Sequence, residues 1–383
     1  VKAKIELRSP IVSTPRVLQM AGMFDVPARE RSEVDLEVDL PLEAKPWNIG
    51  LIVGPSGCGK SSIARHFWPR EMARTPTWSK SRSVLDAFPA KMSIKDIVAL
   101  MSSVGFSSPP AWLRPFHVLS NGEQFRVSLA RMLAELPELA VMDEFTSVVD
   151  RTVAQIGSAA LAKTVRRRKQ KLVAVTCHDD VERWLQPDWV YRPAERRFAW
   201  RSLRRRPPIA LRIGRVHHSA WQLFKHHHYL TASHAKSATC FVAFWRGQPV
   251  AWISWMPHVG IARRGDSRPV RRVHRMVCLP DFQGVGIGAA LQRHTSAMWR
   301  GAGCRAVIAT GHPAVIAATA RNPEWRMLRA PGLNASGGSD PSLTARFNRT
   351  RASLRMTASF EYVGPALAPA LSARLLAREA PEN

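Results

Sequence analysis

Residues 36–53 alternate apolar and polar side chains and then close in the apolar run Leu51-Ile52-Val53, ahead of a glycine-rich loop. A period of two that ends this way predicts strands leading into that loop. The stretch after it, Ser61 to Trp68, has helical character. Two further apolar runs follow, LAVMDEF at 139–145 behind the amphipathic stretch FRVSLARMLAEL, and KLVAVTCH at 171–178 behind the basic segment KTVRRRKQK. Apolar strands separated by helical stretches predict a parallel sheet with crossover helices.

The pattern breaks at 192–208, where a run of arginines meets paired prolines. From about residue 209 the text changes. CFVAFWRGQPVAWISW reads as a hairpin turning at Arg246 to Pro249, VHRMVCL as a strand, GAALQRHTSAMWRGAG as a helix, RAVIATG as a strand and ASFEYVG as a last strand. Residues 331–342 are rich in glycine, serine and proline and read as a loop. The expectation is an α/β protein of two domains, 1–205 and 206–383. A length of 383 residues suits two cores of ordinary size.

Charge changes the picture more than composition does. The formal net charge is +27. Residues 1–200 carry 29 Lys and Arg against 22 Asp and Glu, whereas residues 201–383 carry 27 against 7. So basic a half points to a polyanionic partner, and nucleic acid supplies one through its phosphates. A solvated arginine-rich surface and an anionic membrane surface are the other readings of the same charge. The five cysteines form no C-x-x-C pair and no close Cys/His spacing, which argues against a disulfide framework or a zinc site. The segment VKAKIELRSP has no apolar signal core, and no run approaches the roughly 18 to 20 apolar residues of a membrane span. A cytoplasmic protein with no membrane partner is expected.

Gly54-Pro55-Ser56-Gly57-Cys58-Gly59-Lys60-Ser61 fits G-x-x-x-x-G-K-S between a strand and a helix. Gly54, Gly57 and Gly59 let backbone N–H groups approach phosphate oxygens. Lys60 neutralises the β and γ phosphates, and Ser61, with Ser62 beside it, lies where a hydroxyl can hold Mg²⁺. Asp143, at the end of the run LAVM, is the second candidate for Mg²⁺. Glu144 next to it is the candidate base or positioner of the attacking water.

Between these lies Leu119-Ser120-Asn121-Gly122-Glu123-Gln124, followed by FRVSLAR, which resembles the signature of the ATP-binding cassette (ABC) family. Ser147 to Asp150 resembles the family's D-loop and His178 its switch histidine. The resemblance implies ATP as ligand and a head-to-tail homodimer through the ATPase domain. Ser120 and Gly122 of one subunit would then close over the γ phosphate held by the other, with Asp150 at the same junction and His178 beside the nucleotide. Only 58 residues separate Lys60 from Leu119, with no convincing Q-loop glutamine among them, and Asn121 replaces the second signature residue. These departures favour a use away from the membrane.

Leu279-Pro280-Asp281-Phe282-Gln283-Gly284-Val285-Gly286-Ile287-Gly288 places glycines 284, 286 and 288 between a strand and a helix, exposing successive amides suited to a pyrophosphate. Together with Leu279 and Gln283, this run resembles the Q/R-x-x-G-x-G/A motif of GNAT acyltransferases. The resemblance implies a mixed α/β GNAT domain behind the ABC-type P-loop NTPase domain, acetyl-CoA or another acyl-CoA as cofactor, and a slot for its pantetheine arm where the strands splay after Leu279. Such enzymes position the thioester against an amine and often use a tyrosine to return a proton to the thiolate. Tyr229 and Tyr362 are the tyrosines available, and His312, after the strand AVIAT, is a third candidate. The blocks HHHYLTASH through CFVAFWRGQPVAWISW and SFEYVG are similar to phage DNA-modification acyltransferases of the Mom type, which implies a nucleobase amine as acceptor.

The reading is an ATP-dependent acyl-CoA N-acyltransferase acting on nucleic acid, with DNA ahead of RNA. A small-molecule or protein N-acetyltransferase with a regulatory ATPase, and a non-catalytic nucleic-acid clamp, are its rivals.

Overall fold

In the computed structural model the residues described are 1–27, 31–72, 76–201, 207–228, 232–258, 265–333 and 356–377. The first stretch of elements is β1 (Lys2–Pro10), α1 (Pro15–Met23), β2 (Arg31–Asp39), β3 (Ile49–Val53), α2 (Lys60–Phe67), α3 (Pro69–Met72), α4 (Ile94–Ser103), α5 (Pro109–Trp112), α6 (Asn121–Glu135), β4 (Leu139–Met142), α7 (Arg151–Arg168), β5 (Lys171–Thr176), α8 (Val181–Leu185), β6 (Trp189–Arg192) and β7 (Arg197–Trp200). After the arginine-rich stretch come β8 (Arg212–Val216), β9 (Thr239–Trp245), β10 (Gln248–Pro257), β11 (Val270–Cys278), α9 (Ile287–Gly301), β12 (Arg305–Thr310), α10 (Pro313–Ala320), β13 (Trp325–Leu333), β14 (Met356–Tyr362) and α11 (Pro369–Leu376).

Two compact units result: Val1–Thr77 with Arg131–Pro207, and Trp78–Ala130 with Pro208–Asn383. Pro207/Pro208 falls within the arginine- and proline-rich seam. The segment 78–130, which lies well before it, is grouped with the C-terminal half. We call this segment the arm.

The first unit is built on a sheet of order β4-β5-β3-β6-β7, in which β3 pairs in parallel with β5 and β6, β4 pairs in parallel with β5, and β7 closes the edge antiparallel to β6. All five residues of β3 are buried, as a central parallel strand covered on both faces requires. The expected parallel sheet is present, and α2 forms over the stretch read as helical, as does α6, whose residues 121–130 are grouped with the second unit. A separate antiparallel ribbon, β1 on β2, runs in register from Lys2 opposite Asp39 to Pro10 opposite Arg31. Ile5 and Val38 of this ribbon join Ile52, Ile63, Val173 and Trp189 in one core. The charges that alternate along both ribbon strands form exposed pairs such as Lys4 with Asp35.

The second unit holds a seven-stranded sheet of order β13-β14-β12-β11-β10-β9-β8. Only β11 and β12 pair in parallel, and every other neighbour is antiparallel. The β9–β10 hairpin turns at Arg246 and Gly247, whose φ values of 51° and 81° are the paired positive values of a tight hairpin turn matched to strand twist. One face is covered by α9, whose Trp299 meets Trp255 edge-on with centroids 6.5 Å apart. On the other, Trp221 and Phe224 pack with Trp252 and Val277. At the β12–β14 ladder Arg305 is 2% exposed and donates to both carboxylate oxygens of Glu361, at 3.0 and 3.1 Å.

No helix among the described residues is long and apolar enough to cross a membrane.

Candidate functional site

The phosphate loop follows β3 and delivers Lys60 to the first position of α2, with Gly59 as its N-cap. Lys60 is 8% exposed, and its ammonium turns back to donate to the Pro55 carbonyl at 2.7 Å. The charge is thereby parked over the loop whose amides would meet phosphate. Ser61 Oγ donates to Asp143 Oδ1 at 3.0 Å, which joins the loop to the end of β4. A hydroxyl and a carboxylate at that spacing are hard oxygen donors of the kind Mg²⁺ takes, so the pair fits the ion. Bound there, Mg²⁺ would neutralise charge on the phosphates. Ser62 follows in the first turn of α2.

Glu144 stands at a positive φ of 51°, which turns the chain sharply after the strand. Its N–H donates to Asp143 Oδ1, and Ser147 Oγ donates to its carboxylate at 2.7 Å. A carboxylate fixed this way can orient a water. Asp150 caps α7, accepting from Thr152 and Val153 N–H. His178 follows β5, with its N–H on Thr176 Oγ1 at 3.2 Å.

Ser120 and Glu123 form a reciprocal capping box at the start of α6. The Ser120 N–H donates to the Glu123 carboxylate at 2.9 Å, and the Glu123 N–H donates to Ser120 Oγ at 3.3 Å. This is the local reason the helix begins at the signature, and it places Gly122, which is buried, in the first turn. Arg126, four residues on, lies on the same face as Gly122.

In the second unit β11 and β12 pair only from Val270/Arg305 to Arg272/Val307, and then part. The splay was expected after Leu279 and in fact begins six residues before Cys278. Its cause is visible on the other side of β11, where Trp255 pairs with Val273 and Ser254 with Arg275, leaving His274 as the extra residue of a bulge. A bulge bends its strand away from the regular ladder.

Beyond β11 the loop 283–288 runs into α9. Gly284 and Gly286 have φ of 89° and 96°, and Gly286 is the N-cap of α9 with no side-chain cap. A Cβ built at Gly286 meets no atom within 4 Å and would point into open space. That open concavity of amides at a helix N-terminus fits a pyrophosphate. Acyl-CoA held there would supply an activated acyl thioester. Leu279 fixes the loop from below, its N–H on the Val250 carbonyl. The Gln283 side chain is committed to structure, since Nε2 donates to the Cys278 carbonyl at 2.8 Å and Oε1 accepts from the Ser107 N–H at 2.8 Å. A cavity of about 580 Å³ lies alongside α9, lined by residues that include Ala290, Arg293, Ala318 and Asn322.

Tyr362 lines that same cavity. Its ring is 2% exposed and its hydroxyl donates to the Pro365 carbonyl at 3.2 Å. Because Glu361 pairs with Val307, Tyr362 is level with Ala306, before the strands part. Its position is thus outside the gap. Tyr229 lies outside the described residues. His312 caps the start of α10 just after β12, with its ring beside Trp112 and Nε2 3.4 Å from the Ser107 carbonyl. Burial lowers its pKa.

A histidine pair stands where β11 bulges against β10. The His274 and His234 rings are 5.2 Å apart. His274 Nε2 faces the Ala235 N–H at 3.3 Å, His234 Nε2 faces Ser254 Oγ at 3.0 Å, and His234 Nδ1 is buried without a partner. Burial first, and the neighbouring Arg275 second, push both down to about 4. The pair is therefore neutral near pH 7 and able to accept a proton.

Residues 179–320 match the model of the acetyltransferase (GNAT) family. An aliphatic sulfonates import ATP-binding protein of Streptomyces avermitilis is 30% identical over 208 residues, covering 49% of this chain and 76% of that protein. The chain belongs to the ATP-binding cassette ATPase family. A zinc import ATP-binding protein of Aliivibrio fischeri is 28% identical over 169 residues, 39% of this chain and 64% of that protein. A dimeric ATP-binding cassette solved with ADP and Pi covers 43% of this chain and 88% of its own, at 16% identity and a TM-score of 0.35.

The chain thus joins a cassette ATPase to a GNAT acyltransferase. In the cassette the phosphate loop, Asp143 and Glu144 come together as the sequence suggested. In the acyltransferase the glycine loop does so too, whereas Tyr362 stands apart from the gap. The His234–His274 pair was missed, because nothing in the sequence marks a bulge inside an unbroken strand pattern. The available signal was a histidine within VRRVHRMVC, the strand that precedes the glycine loop.

Proposed function

We infer that this protein is an ATP-dependent acyl-CoA N-acyltransferase whose acceptor is an amine of a nucleic acid, DNA ahead of RNA, and that it works as a homodimer through its cassette. The amine nitrogen forms the new C–N bond as the C–S bond breaks. The His234–His274 pair accepts the amine's proton, and the thiol is reformed on coenzyme A. ATP is not needed for that exchange, because the thioester is already activated. Hydrolysis is suited to loading or moving the polymer.

The observation that carries the acceptor is the placement of charge at the gap. Among the described residues neither Arg271 nor Arg272 has an acidic partner, and Arg272 is exposed at the last β11–β12 pair before the strands separate. The Arg271 guanidinium lies over the Trp299 ring, 4.8 Å from its centroid, so the group that suits a phosphate backbone alongside the acceptor is Arg272. The excess of 20 positive charges in residues 201–383 has the same sense. The likeness to Mom-type enzymes supports a nucleobase amine.

Mass spectrometry of nucleosides from cells expressing the protein, compared with cells expressing the Gly286→Val variant, tests this reading. An acylated nucleoside found only with the wild type is expected. Acylated small amines or proteins without any modified nucleoside would replace the acceptor, and no acyl transfer would leave a clamp.

A further inference from the structure

Within the second unit the arm reaches both lips of the acyl-CoA gap. One lip follows β11 and carries Asp281 and Gln283; the other follows β12 and carries His312. Ser107 touches both, its N–H donating to Gln283 Oε1 at 2.8 Å while its carbonyl lies 3.4 Å from His312 Nε2. Two residues earlier, Gly105 has φ 90°, and a Cβ there would fall 2.7 Å from the Gln283 carbonyl oxygen. So close an approach admits no side chain. On the far side Trp112 meets the His312 ring edge-on, and α4 packs against α10.

The third anchor comes from the signature helix itself. Arg126 is 1% exposed, and its Nη2 donates to Asp281 Oδ1 at 2.9 Å. Its Nε and Nη1 are buried without partners. A guanidinium so enclosed is held by one carboxylate on the acyl-CoA loop. It also lies one helical turn beyond Gly122, the glycine the ABC resemblance places on the γ phosphate of ATP.

We propose that the arm is a clasp that sets the width of the acyl-CoA gap, with Arg126 and Ser107 as positioning residues, so that nucleotide engaged at the signature changes acyl-CoA affinity. The inference rests on the ATPase and acyltransferase readings above. A shift of the first turn of α6 toward a nucleotide carries Arg126 with it, and Arg126 has Asp281 as its anchor on the loop. Asp281 and Gln283 then move relative to His312, and the slot between the lips changes shape. Such coupling must be reciprocal, because it is a free energy shared by two ligands.

The test uses the full chain and two titrations by calorimetry, acetyl-CoA with and without a non-hydrolysable ATP analogue, and the analogue with and without acetyl-CoA. A change in Kd of about fivefold or more, equal in both titrations, is expected. In Arg126→Met, and independently in Asp281→Asn, both ligands should still bind while the factor falls close to one. The KM for acetyl-CoA should rise in these variants more than kcat falls. Independent binding of both ligands to the wild type overturns the clasp and leaves the acyltransferase reading intact, and so does a wild-type factor in Arg126→Met. Absence of any acetyl-CoA binding to a wild type that binds the analogue overturns the acyltransferase reading itself, and the clasp with it.

Discussion

The Ser61 hydroxyl and the Asp143 carboxylate, 82 positions apart in the chain, meet at 3.0 Å. The contact joins the phosphate loop to the end of β4, and its two oxygens are the hard donors a divalent cation needs. Asp143→Asn keeps the shape and removes the charge. Phosphate release should fall by about two to three orders of magnitude, as for loss of a preorganised electrostatic contact, with ATP binding weakened far less. Hydrolysis within a few-fold of wild type would separate this pair from the ion.

Glu144 is held by the Ser147 hydroxyl at 2.7 Å and by its own left-handed backbone. Glu144→Gln preserves both and loses only the carboxylate charge. The variant should bind ATP without turning it over and should accumulate as a dimer in ATP on size exclusion. Normal turnover would remove Glu144 from the mechanism.

How far the sequence revealed the site can be seen residue by residue. Lys60, Ser61 and Asp143 were legible because phosphate and Mg²⁺ chemistry ties residue type to spacing. Gly284 and Gly286 were legible for the same reason, as only a backbone open to φ near 90° can present those amides. The arm was not legible. Its grouping with the C-terminal half rests on Ser107, Gly105 and Arg126 meeting residues 155 or more positions away, and no local pattern encodes such a pairing. The short strands β7 and β8 were likewise invisible, since each is stabilised by a neighbour more than by its own periodicity, whereas the ribbon strand β1 does carry a period of two, with Ala3, Ile5 and Leu7 facing the core between Lys2, Lys4, Glu6 and Arg8.

The histidine pair gives a pH dependence with a definite sign. Burial lowers both folded-state pKa values to about 4, below the ordinary 6.5. The neutral, proton-accepting form therefore persists as pH falls through 6, where an exposed histidine would already be charged. The acid limb of kcat/KM for acyl transfer should lie near pH 4 to 5, as a property of the pair, and His274→Gln should lower kcat by about 10²-fold or more. Stability has the same sign, declining as pH drops below 6.5 because only the unfolded chain takes up those protons readily. An acid limb at 6.5 would exclude the pair as base.

Glu361 accepts from Arg305 and, at 2.7 Å, from Arg326. Glu361→Ala leaves the Arg305 guanidinium, 2% exposed, without its main partner. The loss should be about 3–5 kcal/mol in urea unfolding followed by acyltransferase-domain tryptophans. ATP binding at the phosphate loop should survive. A loss under about 1 kcal/mol would mean that water or Asp266 takes over the charge.

If the basic C-terminal half tracks a phosphate backbone, then binding to DNA should fall linearly on logarithmic axes as salt rises. Between 50 and 200 mM the loss is about 10³-fold if some six phosphates are engaged. Replacing Arg272 by Gln should reduce that slope by about one phosphate and weaken all sequences alike. The Lys60→Ala protein should keep the slope, because its lesion lies in the cassette, and yet yield less modified nucleoside per hour when ATP is present. The decisive measurement is product formed with and without ATP at fixed low salt. Equal yields from the wild type and Lys60→Ala would leave the ATPase with no part in the transfer, and a salt-insensitive interaction would move the acceptor from nucleic acid to a small amine.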